Sequence, residues 1–234
     1  MNNQNALWQQ NKLNEKEMSF LWEAISTSEE TPNTKLNCVS FHHNVSKIID
    51  DKANWFYETV LEANVNNMYY SHWENYYNVH VTKNTQPPSF ELSRMWVNHQ
   101  KQHDFNPPHY HFGGTGYSFV IFMKIPTHWK EQHKYVSTDT DTDSSDQTVW
   151  PTNIHGKELQ IIHNYKGCAS DFQFLVGHPN GLVETINIPL SQEDEGTMYF
   201  FPAWLTHQVF PFYETEEERI TISGNITLVD DENE

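Results

Sequence analysis

The stretch GTMYFFPAWLTHQVFP, residues 196–211, decides the fold of this chain. It reads as a strand, a proline turn and a second strand. Residues 197–201 are aromatic and apolar, Pro202 breaks the run, and 206–212 resumes it. Further strands are predicted at 90–98, 117–125, 158–165, 171–177, 183–190 and 219–228. They are short, rich in aromatic and β-branched residues, and separated by Gly, Pro and Asn clusters. No long helical pattern intervenes, which argues against a parallel α/β sheet. A mainly β sandwich or jelly roll with helices packed outside fits the pattern.

Within that stretch His207 starts the second strand. Its parity differs from that of Thr206 and Gln208, so it can point inward while they do not. Upstream lies Asn106-Pro-Pro-His109-Tyr-His111-Phe-Gly-Gly. In a strand, residues i and i+2 share a face, so His109 and His111 can present imidazoles to one point. Neutral imidazole is a good ligand for iron(II). The pair alone is a weak signal, more often two alternating surface histidines than a metal site; His207 is what adds weight to a metal. The chain has 14 His, and the others, such as His42, His43, His72, His80, His128, His133, His155 and His178, are read as structural.

Downstream, Arg219, Thr221, Ser223 and Asn225 share one face of the last strand, and Ile220, Ile222 and Ile226 share the other. An inward Arg is costly unless it meets an anion. A guanidinium fork beside a hydroxyl suits a carboxylate. An ordinary ion pair with one of the many acidic residues is the alternative.

The N-terminal third is different. Asn14 and Glu17 have capping-box spacing, with Met18, Leu21, Trp22 and Ile25 following at helical intervals. A second helix is predicted over 48–63, with Ile49, Ala53, Phe56, Val60 and Ala63 as its apolar stripe. The domain reading is a helical extension over 1–35, one jelly-roll domain over 36–229 with an acidic insertion at 137–149, and an acidic tail at 230–234.

Composition excludes several functions. The formal charge is −17, which argues against nucleic-acid binding, since phosphate contacts need basic patches. Cys38 and Cys168 make no disulfide framework, so a reduced, cytoplasmic compartment is the expectation. No stretch has the apolar length of a membrane span, and no signal peptide is visible. The acidity leans toward a basic or neutral substrate.

In this order the motifs resemble those of the 2-oxoglutarate/iron(II) dioxygenases, most of all the prolyl-hydroxylase-like group of bacteria and phages. The residues are Trp96-Val97-Asn98, His109-x-His111, Tyr117-Ser118, Phe201-Pro202, His207 and Arg219-Ile-Thr-Ile-Ser-Gly-Asn225. The resemblance spans roughly residues 90–228. It implies a double-stranded β-helix, a jelly-roll or cupin-like fold, holding iron(II) at its open end. It also implies 2-oxoglutarate as cosubstrate, with ascorbate as the reductant used in vitro. The 5-carboxylate would lie against Arg219, helped by Thr221 or Ser223. Asn98 and Ser118 would be lesser contacts.

One departure stands out. The superfamily has a carboxylate two residues after its first His, and here that position is His111. Either His111 ligates, or Asp104 supplies a carboxylate from the preceding loop, or another anion fills the place. Geometry favours His111. Three neutral ligands would leave iron(II) its full +2 charge and strengthen anion binding.

The expectation is therefore a 2-oxoglutarate-dependent dioxygenase, a hydroxylase of a small molecule or protein side chain. A three-His cupin-like metalloprotein that does not use 2-oxoglutarate is one alternative. A virion-associated or binding protein that kept the fold is the other. Trp96, Tyr110, Phe122 and Trp204 are candidates to line the pocket or to be ordinary core. Oligomeric state is not readable from the sequence.

Overall fold

The computed structural model describes residues 7–28, 45–77, 88–111, 115–133 and 169–229. The predicted strand at 158–165, the acidic insertion, the acidic tail and both cysteines lie outside these residues.

Among the described residues, ten strands form two antiparallel sheets. They are β1 (Gln9–Lys12), β2 (Val45–Ile49), β3 (Phe90–Gln100), β4 (Asn106–His109), β5 (Thr115–Lys124), β6 (Phe172–Gly177), β7 (Val183–Ile188), β8 (Thr197–Pro202), β9 (Thr206–Val209) and β10 (Arg219–Leu228). The larger sheet has the order β1-β8-β5-β10-β3-β2 and the smaller β4-β9-β6-β7. This is the jelly roll the strand pattern predicts. The strands predicted from 90 onward appear close to their expected places among the described residues.

Period-2 alternation splits the larger sheet into two faces. Phe119, Ile121, Met198, Phe200, Ile222 and Ile226 face one core, shared with Leu21, Phe56, Leu61 and Val65 of the helices. Val120, Phe122, Tyr199 and Phe201 face the other, shared with Phe172, Phe174, Ile186 and Ile188 of the smaller sheet. Side chains that alternate across a strand lock its register, because a one-residue slip would exchange the two cores. Gly224 sits in β10 where a Cβ would overlap the Phe119 ring and crowd the Arg94 carbonyl, so only glycine fits there.

Two N-terminal expectations need correction. Residues 1–35 are more than a helical extension. Helix α1 (Glu15–Ser26) does carry the predicted cap, with Asn14 accepting from Lys16 and Glu17 N–H while Glu17 reaches back to Asn14 N–H. But β1 precedes it and pairs with β8 as an edge of the larger sheet, and Trp8 packs on Phe174 in the inter-sheet core.

The helix predicted over 48–63 starts later. Val45–Ile49 is a strand paired with β3, and pairing there covers a sheet edge that would otherwise be open. Asp51 accepts from the N–H groups of Phe56 and Tyr57 and so opens the helical segment. That segment is a π-helical turn, Tyr57–Leu61, continuing into α2 (Glu62–Tyr77). Ala53 and Ala63 are exposed, and Val65 and Met68 take the core positions instead.

Candidate metal centre

Three histidines converge at one edge of the smaller sheet. His109 ends β4 and His207 lies in β9, where they are direct cross-strand partners. His111 lies past the end of β4, and its N–H donates to Ala203 O at 2.9 Å. The i, i+2 expectation of a single strand is thus realised differently. Pro107 and Pro108 have no N–H to give a ladder, the register shifts between Asn106 and His109, and the Pro202–Leu205 turn holds His111 instead.

Ligand atoms of His109, His111 and His207 all lie within 4.8 Å of one another. Ring centroids are 4.3 Å apart for His109–His207, 5.4 Å for His111–His207 and 5.5 Å for His109–His111. The backbone sets the tautomers. His109 Nδ1 is 2.8 Å from Pro107 O and His207 Nδ1 is 2.9 Å from Leu205 O. A carbonyl can only accept, so each Nδ1 carries the proton and each Nε2 keeps its lone pair. Orientation of this kind is what metal-ligating histidines require.

The electrostatics agree. Burial lowers the pKa of His109. Burial and the neighbouring His109 lower His111 to about 4, and the same two causes hold His207 well below its ordinary value. Three neutral imidazoles aimed at one point fit a divalent transition metal. Asp104, the other sequence candidate, is not in the group. Its carboxylate accepts from Lys101 N–H at 2.9 Å, closing a tight turn.

A polar row leads away along β10 on the inter-sheet face. Thr221 faces Asn98, whose amide is 3.4 Å from the Thr221 hydroxyl. Ser223 sits opposite Trp96, and the Trp96 ring is 6.2 Å from that of His111. Asn225 accepts from the Ser118 hydroxyl at 2.9 Å. All five candidate cosubstrate contacts therefore belong to β3, β5 and β10, three adjacent strands.

Arg219 heads this row and is fully buried. Its Nη2 donates to Ser170 O at 2.9 Å and to Ser170 Oγ at 2.7 Å. Nη1 donates to Phe210 O at 3.3 Å and Gln100 Oε1 at 3.4 Å. Nε has no acceptor. The guanidinium lies over the Phe212 ring, 4.9 Å from its centre. Burial pulls the Arg219 pKa down to about 9, with Asp171 pulling it back up; the group remains a cation at neutral pH.

Gln100 and Ser170 were not foreseen. Gln100 shares the parity of Asn98, so extending the predicted strand by two residues would have found it. Ser170 carries no local signal. It holds a left-handed backbone at φ 73°, which costs a non-glycine residue roughly 1–2 kcal/mol.

Of the aromatic candidates, Phe122 is core and Trp96 is buried near His111. Tyr110 and Trp204 are 44% and 53% exposed. They are adjacent in sequence to His111 and Ala203, the two residues joined by the backbone hydrogen bond above.

An antiparallel jelly roll with three convergent histidines on one sheet and a buried arginine on the other fits a metal-dependent oxygenase. The family described as "Putative 2OG-Fe(II) oxygenase" matches residues 94–225, more than half of the chain, and the protein belongs to that family. Iron(II) and 2-oxoglutarate are the cofactors that membership brings.

Similar solved structures include an oxidoreductase of the 2OG-Fe(II) oxygenase family from Burkholderia pseudomallei. It is 11% identical, covers 95% of this chain and 85% of its own, and has a TM-score of 0.50. A Pseudomonas putida prolyl-4-hydroxylase is 10% identical, with coverages of 95% and 93% and a TM-score of 0.49. The viral collagen prolyl hydroxylase of Paramecium Bursaria Chlorella virus-1 is 11% identical, with coverages of 95% and 97% and a TM-score of 0.48. At 11% identity the likeness to the Burkholderia pseudomallei structure is one of fold. No curated protein matches the chain. No helix among the described residues is long and apolar enough to cross a membrane.

Proposed function

We propose that this oxygenase is a hydroxylase whose iron(II) is held by His109, His111 and His207. The observation that carries the reading is the tautomer control. Pro107 O and Leu205 O hold Nδ1–H of His109 and His207, which frees both Nε2 lone pairs for a metal. His111 lies within the same 4.8 Å group and completes three neutral ligands.

When bound, iron(II) and 2-oxoglutarate would supply, with molecular oxygen as the oxidant, hydroxylation of a substrate C–H bond: one oxygen atom enters the product hydroxyl, the other enters succinate, and carbon dioxide leaves. The protein's own residues bind and orient. Arg219 and Thr221 meet the distal carboxylate, with Ser223 beside them and Asn98 and Ser118 as lesser contacts. Trp96 and the apolar inter-sheet core keep water from the metal's inner side. Tyr110 and Trp204, exposed beside the histidines, give the substrate apolar faces to rest on.

The substrate is a small molecule or a protein side chain. The net charge of −17 favours one that is basic or neutral. The scarcity of basic residues speaks against nucleic acid, and the two-cysteine content suits a reducing cytoplasm, bacterial or phage-infected.

The test is to incubate purified protein with iron(II), ascorbate and labelled 2-oxoglutarate and to measure succinate. Slow uncoupled turnover is expected without substrate, and none in His207→Ala. Failure to bind 2-oxoglutarate anaerobically in the presence of iron(II) would refute the reading.

A further inference from the structure

The arginine expected to present its fork to a carboxylate presents it to the protein. Nη2 of Arg219 is clamped by two acceptors of one residue, the carbonyl and the hydroxyl of Ser170. Nη1 is met by Phe210 O and Gln100 Oε1. Each Nη has two N–H groups, so all four are directed at protein acceptors. Nε is the one N–H of the guanidinium without a partner, and it is buried.

The Ser170 clamp is built rather than incidental. A serine at φ 73° persists only where its surroundings over-determine it. Here its N–H donates to Pro211 O at 2.7 Å. Its hydroxyl pairs with that of Thr127 at 3.0 Å, and the side chain is fully buried. Both of its acceptors are thereby turned to one nitrogen. Gln100 is tied as well, its amide donating to Asp104 O. Ser170 precedes β6 and Phe210 follows β9, so the clamp joins the larger sheet to the ends of the two strands that carry Phe174 and His207.

We propose that Ser170 and Gln100 are positioning residues for the cosubstrate: by occupying the terminal nitrogens of Arg219 they leave Nε as the N–H that meets the distal carboxylate of 2-oxoglutarate. Recognition is then split between a single guanidinium N–H and a neighbouring donor such as the Thr221 hydroxyl, in place of a two-pronged fork. This rests on the reading above, in which Arg219 faces that carboxylate.

The experiment measures equilibrium binding to the iron(II)-loaded protein without oxygen, so no turnover is read. Two probes are compared: 2-oxoglutarate, and 2-oxobutyrate, which has the same chelating end and no distal carboxylate. Wild type should prefer 2-oxoglutarate by well over about tenfold, as expected for a charge-assisted contact to a buried cation. Ser170→Gly removes the hydroxyl and suits the left-handed backbone, so the chain should fold. It should cut that preference about tenfold while 2-oxobutyrate binds as before. Gln100→Leu should cut it by roughly threefold, reflecting its longer contact.

If wild type shows no preference, the assignment of Arg219 to the distal carboxylate falls, and the inference with it. If wild type shows the preference and both variants keep it, the positioning role alone is overturned. Equal weakening of both probes would also overturn it, because a merely structural role acts on both ends of the ligand.

Discussion

The partly buried histidine group and the fully buried Arg219 are both polar sites of one jelly roll, and they meet the cost of burial in opposite ways. The histidines shed their charge. Burial lowers all three pKa values, and the two Nδ1–H groups with backbone partners are satisfied. What remains is a set of lone pairs that only an electrophile can satisfy together. Arg219 keeps its charge and is surrounded by acceptors from Ser170, Phe210 and Gln100. In the proposed reading a metal completes the first site; the other is nearly complete as folded. A ligand should therefore stabilise the first strongly and the second weakly.

The sharpest way to break the comparison is Arg219→Met. It strands four acceptor contacts in a dry interior and should cost about 3 kcal/mol. That corresponds to a fall in melting temperature of roughly 6–12 °C for a chain of this size. The loss should be the same with iron(II) or with chelator, as calorimetry would read. A loss below about 1 kcal/mol would mean that the buried cation is not the fold's own fastening.

The metal side is next. At a hundredfold excess over its dissociation constant, iron(II) should add about 2.7 kcal/mol to the wild type. Chelation should remove all of it. In His207→Ala the increment should vanish, while metal-free stability stays within about 1 kcal/mol of wild type. An increment that survives this substitution would move the metal elsewhere.

The metal-free protein also has a pH dependence. The unfolded chain protonates His111 near its ordinary pKa of 6.5, whereas the folded chain resists until about 4. The unfolded state then holds more protons, so stability is full above about pH 6.5 and falls as pH drops toward 4. The slope contributed by each histidine is at most on the order of 1.4 kcal/mol per pH unit. Denaturant titrations in chelator at several pH values would measure it, and a profile flat over that window would contradict the burial argument.

Gln100→Leu should give the smallest change, about 1 kcal/mol, with the iron increment unaltered. It removes one long contact to Arg219 and the donor to Asp104 O. A loss as large as that of Arg219→Met would put Gln100, rather than Ser170, at the centre of the clamp.

Legibility in the sequence followed the range of the forces involved. Alternation of side chains along 90–100, 115–124 and 219–228 is local, so strands β3, β5 and β10 and their inward residues could be read directly. The Asn14–Glu17 cap is also local and was legible. The second helix was misplaced because Ile48 and Ile49 fit a helical stripe as well as a strand. Pairing with β3 decided for the strand, and an apolar pattern cannot report a pairing partner 50 residues away.

His109 and His207 were visible as residues, and their order with Arg219 pointed to a family. The sequence by itself thus determined a β-rich jelly roll, the residue types of a candidate metal site and the polar face of the last strand. The tertiary structure decided the rest. It put His109 opposite His207, brought His111 in through Ala203 instead of through a strand, and chose the tautomers with two carbonyls. It also closed Ser170 on Arg219. Those contacts join segments 49 to 98 residues apart, or depend on a backbone carbonyl or a left-handed φ. Residue identity encodes none of these, because every residue but one type has the same N–H and all have the same C=O.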